Sequence, residues 1–197
     1  SFKQDGDDVQ TNGTATPAQA QAQDPAPGLH VKPNIVVALH ACDNASDEAL
    51  AQGVAWDADA ILVVPCCQRE LNPKLSNQPL LQPVLDVGLL RERFAEVVTD
   101  AIRVKLLEML GYDVKVVAFV QVQNSPKNNL IRAVRRQQKG HTHSKGHSDA
   151  DAEALNKSVA SYTSFVEFLG CGRPRLEVLL QDKLRPIFDA YTSAKQT

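Results

Sequence analysis

Residues 34–39 read NIVVAL, a short and nearly continuous apolar run that is rich in β-branched side chains. Such a run is typical of a strand that is buried on both faces of a parallel sheet. Residues 60–64 (AILVV) repeat the pattern before Pro65 ends it, and residues 48–55 between the two runs can form a short helix after capping residues at 43–47. A strand, a helix and a second strand in this order predict an α/β fold built from right-handed βαβ units.

The chain beyond these strands continues the alternation of helix and strand. Residues 72–83 form a loop rich in Pro, Asn and Gln, and apolar positions spaced by threes and fours then predict a long helix that Gly111 ends. Residues 114–122 and 130–134 read as strands whose connection is too short for a crossover helix. We therefore expect this last pair to be an antiparallel hairpin.

The composition is that of an ordinary soluble globular protein, with 43% hydrophobic and 22% charged residues among 197. With 21 basic and 23 acidic side chains, the chain has no global basic field for nucleic acid, which leaves room only for a local basic patch. The apolar runs are about ten residues long, well short of the roughly 20 that span a bilayer, so no membrane segment is expected. Cysteines at 42, 66, 67 and 171, two of them adjacent, favour a reducing intracellular compartment, either cytoplasmic or organellar.

Two polar segments follow the two buried strands. Residues 39–43 (LHACD) come directly after the first strand, and residues 65–68 (PCCQ) come directly after the second. The carboxyl ends of neighbouring parallel strands lie at the same edge of a sheet, which is where open α/β sheets bind their ligands. We therefore expect one edge of the sheet to collect an imidazole, three thiols and a carboxylate.

Three kinds of site fit these side chains. The first is a zinc site, although adjacent Cys66 and Cys67 are poorly spaced as ligands and the sequence has no Cys-x-x-Cys. The second is a nucleophilic cysteine with His40 as its base. The third is purely structural, with small polarizable side chains packed where the strands end.

The order of these segments resembles that of the class I, S-adenosylmethionine-dependent methyltransferase-like proteins, in the branch that carries Leu-His-Ala-Cys followed by Pro-Cys-Cys. The first two matching stretches also show a more distant similarity to tRNA 2'-O-methyltransferases of the Trm13 type. The matching stretches are ALHACDNASDEAL (38–50), ILVVPCCQREL (61–71), RERFAEVVTDAIRVKLLEMLGYDVKVVAFV (91–120) and SPKNNLIRAV (125–134).

The resemblance implies a Rossmann-like methyltransferase fold of which this chain holds the second half, strands four to seven, plus C-terminal helices. It implies S-adenosylmethionine as the cofactor, with no metal. For Asp43, an alternative role is to cap the following helix. The implied site residues are His40, Asp43 and Cys67 for catalysis, Cys42, Cys66 and Gln68 for the acceptor pocket, and Leu39 and His40 for contact with the cofactor.

Composition, periodicity and the resemblance together divide the chain. The Gly-rich cofactor loop and the acidic ribose-binding residue of such enzymes have no counterpart before residue 34, so we expect an open sheet edge that a missing N-terminal half or another chain covers. The expected segments are a disordered tail or insert (1–33), the C-terminal half of a methyltransferase-like domain (34–135), a flexible His/Lys-rich loop (136–150) and C-terminal helices (151–197).

Two functions follow from the resemblance. The first is that the chain is part of an S-adenosylmethionine-dependent methyltransferase whose acceptor is RNA. The alternative is a catalytically inactive methyltransferase-like scaffold or assembly module in a larger complex, such as a ribonucleoprotein.

Overall fold

The computed structural model describes residues 34–66, 69–118, 129–136 and 149–195. The chain separates into two units, Ser1–Val31 and Lys32–Thr197, and all of the described residues belong to the second unit. Two short 3-10 helices, Asn72–Asn77 and Pro79–Leu81, lie between the second strand and the second α-helix. The elements are β1 (Ile35–Ala41), α1 (Asp43–Ala55), β2 (Ala60–Pro65), α2 (Gln82–Leu85), α3 (Gly88–Met109), β3 (Tyr112–Ala118), β4 (Asn129–Arg135), α4 (Asp149–Leu169), α5 (Arg175–Leu179) and α6 (Gln181–Ala194).

The four strands form one mixed sheet in the order β1-β2-β4-β3. β1 and β2 are parallel neighbours, whereas β4 runs antiparallel to both β2 and β3. The α/β class, the parallel first pair and the antiparallel last pair are therefore confirmed. The last residues of the predicted third strand, 119–122, lie outside the described residues, as does the connection that follows them.

Helices α1 and α3 cover one face of this sheet. Because side chains alternate along a strand, Ile61 and Val63 of β2 share a face, and the register places Ala133 and Ile131 of β4 beside them. All four are completely buried and belong to one core with residues of α1 and α3, such as Leu50 and Leu106. Each fully buried Leu or Ile side chain contributes roughly 1.5–3 kcal/mol to folding, so this face supplies much of the stability of the sheet.

Two segments are more helical than the sequence predicts. α1 begins at Asp43 rather than at residue 48, because polar side chains of its first turns find buried tertiary partners: Ser46 donates to the carbonyl of Ala41 and Asp47 binds Arg103. The predicted loop 72–83 contains both 3-10 helices and the start of α2. Each of these three helices has a proline in its first turn, where the missing N–H costs no hydrogen bond.

The C-terminal region contains three helices, α4, α5 and α6. Most of the predicted flexible loop 136–150 lies outside the described residues, and α4 already begins at Asp149. Among the helices that the structure describes, none has the length and apolar character needed to cross a membrane.

Candidate functional site

The two polar segments lie side by side at the carboxyl edge of the parallel pair. The register pairs Ala41 at the end of β1 with Pro65 at the end of β2. The Sγ of Cys66 lies 3.5 Å from the carbonyl oxygen of Ala41, to which it donates a hydrogen bond. The expected juxtaposition of residues 39–43 with the turn after β2 is confirmed as far as Cys66, and Cys67 and Gln68 lie outside the described residues. We call this edge, formed by residues 39–43 and 65–66, the rim.

His40 occupies an unusual backbone position on the rim. Its φ is 52°, in the left-handed region, and the pairing of β1 with β2 shifts register between Leu39 and Ala41. Histidine is among the side chains that tolerate this region better than most, and such an irregularity re-aims the side chains around it. As a result, the consecutive residues Leu39 and His40 are both exposed instead of alternating between the two faces.

Asp43, by contrast, is a buried member of the rim, with 4% of its surface exposed. Its Oδ1 accepts a hydrogen bond from Nη2 of Arg103 at 2.9 Å, and its Oδ2 accepts one from the backbone N–H of Glu70 at 2.7 Å. Exposed Cys42, and not Asp43, occupies the N-cap position of α1, so the capping role considered for Asp43 is wrong. Both carboxylate oxygens of Asp43 instead accept hydrogen bonds from residues outside α1.

Arg103 of α3 is the centre of a buried ionic cluster that sequence reasoning missed. Its side chain is 1% exposed and pairs with three carboxylates. Its Nε donates to Asp47 at 2.8 Å, its Nη1 to Asp100 at 3.2 Å and its Nη2 to Asp43. The local signal is the i, i+3 spacing of Asp100 and Arg103 on the buried face of α3, most of whose other residues are apolar.

The cluster perturbs the acid–base properties of its members. Burial raises the pKa values of Asp47 and Asp100, and the attraction of Arg103 offsets only part of that effect. Burial alone would lower the pKa of Arg103, but Asp47, Asp100 and Asp43 together raise it above its ordinary value. One guanidinium faces three carboxylates, so the cluster carries more negative than positive groups.

The rim and the buried cluster can do different chemistry. The exposed imidazole of His40 can accept a proton from a bound molecule, whereas Asp43 is engaged through both oxygens. The Sγ of Cys66 is in contact with the carbonyl oxygen of Ala41. Within the described ranges no group of three or more His, Cys, Asp or Glu side chains is arranged to hold a metal ion.

Comparison with known proteins gives one match. Residues 6–74 match a protein-family model described as a methyltransferase domain. No curated protein and no solved structure matches the chain. The matched segment is less than half of the chain, and it includes β1, α1, β2 and both parts of the rim. By its sequence, the part of the chain that forms the rim is thus similar to a methyltransferase domain.

Proposed function

We propose that the protein is an S-adenosylmethionine-dependent methyltransferase in which this chain carries the acceptor side of the active site. The observation that carries the proposal is the parallel pairing of Ala41 with Pro65, which brings the two polar segments together. Both segments lie inside residues 6–74, which match the methyltransferase domain.

The topology of the sheet supports the same proposal. The order β1-β2-β4-β3, with a terminal antiparallel pair, agrees with the strands four to seven that the resemblance implies. In this reading β1 is the fourth strand and β2 is the fifth. Open α/β sheets bind ligands beyond the carboxyl ends of such strands, which is where the rim lies.

The rim residues fit one side of a cofactor site. S-adenosylmethionine supplies an electrophilic methyl group when it is bound. Leu39, half exposed, offers an apolar surface, and His40 beside it offers a hydrogen-bonding nitrogen. Asp43 does not fit a ribose-binding role, because Arg103 and the Glu70 amide occupy its carboxylate. The groups that hold the ribose and the amino-acid end of the cofactor must therefore come from outside the rim.

His40 is the residue to which we assign proton transfer. An acceptor hydroxyl or amine loses a proton as it gains a methyl group, and an exposed imidazole at the rim can take that proton. Cys42, which is exposed, and half-buried Cys66 would contact the acceptor, together with Cys67 and Gln68. Asp43 would act by holding the rim in place, which orients the acceptor rather than reacting with it.

The acceptor that we propose is RNA, and this choice rests on the resemblance of residues 38–50 and 61–71 to tRNA methyltransferases. The test is turnover on RNA fragments of defined length against small hydroxyl and amine acceptors. Methyl transfer to small acceptors alone would contradict the RNA assignment and would leave the transferase assignment standing.

The proposed enzyme also needs a partner for β1. This strand pairs with β2 on one side, and its alternate residues Ile35, Val37 and Leu39 are 59%, 56% and 50% exposed. An apolar edge strand of this kind is open to pairing and association. We propose that the N-terminal half of the same methyltransferase domain, or another chain, covers it.

A charge placed on β1 tests this partner. Val37→Asp should weaken association with the covering segment, measured as lost protection of β1 amides from hydrogen exchange in the full-length protein. Val117→Asp on β3 is the matched control, because Val117 is 42% exposed on the strand at the opposite edge. Equal effects of the two variants would contradict a partner at β1.

Titration of S-adenosylmethionine into the full-length protein tests the proposed function itself. We expect binding with a micromolar dissociation constant, and methyl transfer that falls by about 10²–10⁴-fold in His40→Asn. Asparagine tolerates the left-handed backbone at position 40, so this variant removes the base without adding strain. No heat at high micromolar cofactor would remove the enzyme assignment in favour of the inactive scaffold, and unchanged turnover in His40→Asn would remove His40 from the site.

A further inference from the structure

The buried cluster around Arg103 contacts three segments near the rim. Asp43 follows β1, and its Oδ2 binds the amide of Glu70, which follows β2. Asp100 accepts a hydrogen bond from the side chain of Asn129 at 3.4 Å, and Asn129 is the first residue of β4. Because β4 is antiparallel to β2, its first residue lies toward the carboxyl end of β2. Through Asp43 and Asp100, Arg103 is thus linked to three segments that lie far apart in the sequence.

The guanidinium of Arg103 is suited to this connection. It is planar and carries five N–H donors in a fixed fork, so it can hold several acceptors at set angles. Its Nη2 contacts both the backbone carbonyl of Asp43 at 3.1 Å and the Oδ1 of the same residue at 2.9 Å. The first residue of α1 is therefore held through its backbone as well as its side chain, two residues after Ala41, whose carbonyl receives Cys66.

Stability alone does not account for such a cluster. A buried ionic group is often no more stabilising than apolar side chains of similar volume, because removing charges from water is costly. Here one cation faces three carboxylates, which makes the electrostatic balance less favourable still. Unlike apolar packing, the cluster fixes the orientation of two polar turns at once.

We propose that Arg103 is a positioning residue that sets the relative placement of the two turns of the rim, with Asp43 as its link to the turn after β2. The proposal rests on the proposed function insofar as the rim is the acceptor site. Its structural content, the coupling of Arg103 to the Glu70 amide, is independent of any reaction. The test therefore has one arm without substrate and one arm with it.

Two asparagine variants separate positioning from general stability. Asp43 and Asp47 lie in the same helix, are 4% and 3% exposed and contact the same arginine. Asp47→Asn keeps the oxygen that receives Nε of Arg103. Asp43→Asn leaves one acceptor oxygen for two donors, and its new N–H₂ group faces a donor. Both variants lose one carboxylate, but only Asp43→Asn breaks the link between Arg103 and Glu70.

The first arm is hydrogen exchange of the Glu70 amide in the full-length protein without ligand. We expect exchange at least tenfold faster in Asp43→Asn than in Asp47→Asn, after correction for any difference in global unfolding. Equal exchange rates at Glu70 in the two variants would overturn the proposal, whether or not the protein transfers methyl groups. If Asp43→Asn does not fold, Arg103→Lys replaces it, since an ammonium cannot span the three carboxylates, and unchanged Glu70 exchange in that variant has the same meaning.

The second arm uses methyl transfer. In Asp43→Asn we expect kcat to fall about tenfold with little change in the affinity for S-adenosylmethionine, because a misplaced acceptor loses near-attack geometry while the cofactor still binds. Asp47→Asn should keep most of its turnover. An altered Glu70 exchange rate with equal turnover in both variants would overturn the positioning role and leave only a structural contact. Absence of transfer in the unmodified protein would contradict the proposed function and not this coupling.

Discussion

The packing of α1 against β2 can be tested by a substitution at Gly53. A Cβ added at this position would lie 2.7 Å from Cδ1 and 2.8 Å from Cγ1 of Ile61. Gly53 is buried in α1, and Ile61 lies on the buried face of the sheet, where it has no exposed surface. Because α1 carries Asp43 at its first turn, the closeness of this contact also affects how the rim is held.

Two effects of Gly53→Ala oppose each other. Replacing glycine by alanine within a helix stabilises it by up to about 1 kcal/mol. Forcing a methyl group into a packed core costs about 1–3 kcal/mol, because side chains or backbone must shift. Contacts below 3.0 Å to two atoms of one buried side chain place Gly53→Ala toward the upper part of that range. We therefore expect a net loss of about 1–2 kcal/mol in the free energy of unfolding.

The effect of Gly53→Ala on stability should change sign when Ile61 is truncated. Ile61→Ala removes the atoms that clash and should cost about 2–5 kcal/mol by leaving a cavity. In that background Gly53→Ala should be neutral or stabilising by up to about 1 kcal/mol, because only the gain in helix propensity remains. Urea denaturation followed by circular dichroism measures all four members of the cycle. A Gly53→Ala effect that is the same in both backgrounds would refute the close contact, as would a stabilised single variant.

Three further predictions concern the buried polar groups. Burial raises the folded-state pKa of Asp47 above 3.8. The stabilising contribution of Asp47 is therefore greatest in acid and is lost as the pH rises through the folded pKa. The stability of the protein relative to Asp47→Asn, measured by urea denaturation, should fall from acid to neutral pH and not grow. Tyr162→Phe removes a 2.7 Å hydrogen bond to Glu177 and should cost about 1.5–3 kcal/mol in the same assay, and a cost near zero would contradict that bond. Exposed Cys42 should react with a thiol reagent well before buried Cys171, whose pKa is raised by burial, and peptide mapping that finds the reverse order would contradict this burial.

Sequence patterns predict the strands of the sheet because the burial of a strand is visible in its own residues. Residues 34–39 and 60–64 are recognisable as buried strands from their composition alone, and a connection of known length determines whether the next strand can be parallel. The left-handed backbone at His40 is not predictable in this way. It depends on how β1 pairs with β2 at its last residue, and Leu39 and His40 would alternate in exposure without it.

The ionic cluster escapes sequence reasoning for a related reason. Asp43 is 60 residues from Arg103 and Asp47 is 56 residues away, so no local pattern connects them. Their pairing depends on α1 and α3 packing on the same face of the sheet. The sequence places residues 39–43 and Cys66 at one edge of the sheet, but it does not show that Asp43 is buried there and bound to Arg103 and the Glu70 amide.

The exposed side chains on one face of β1 indicate which part of the sheet a partner would cover. The sequence of β1 is apolar on both faces, as in a strand covered on both sides. On the face opposite to Ile61, Val37 and Leu39 are about half exposed, whereas Val64 of β2 on that same face is buried. Farther from β1, this face carries the exposed charges Lys115 on β3 and Arg132 on β4 beside exposed Val117. A covering layer should therefore bury β1 and leave the outer end of the sheet in water. The partner proposed for β1 would then lie next to exposed Leu39 and His40, and therefore beside the rim as well.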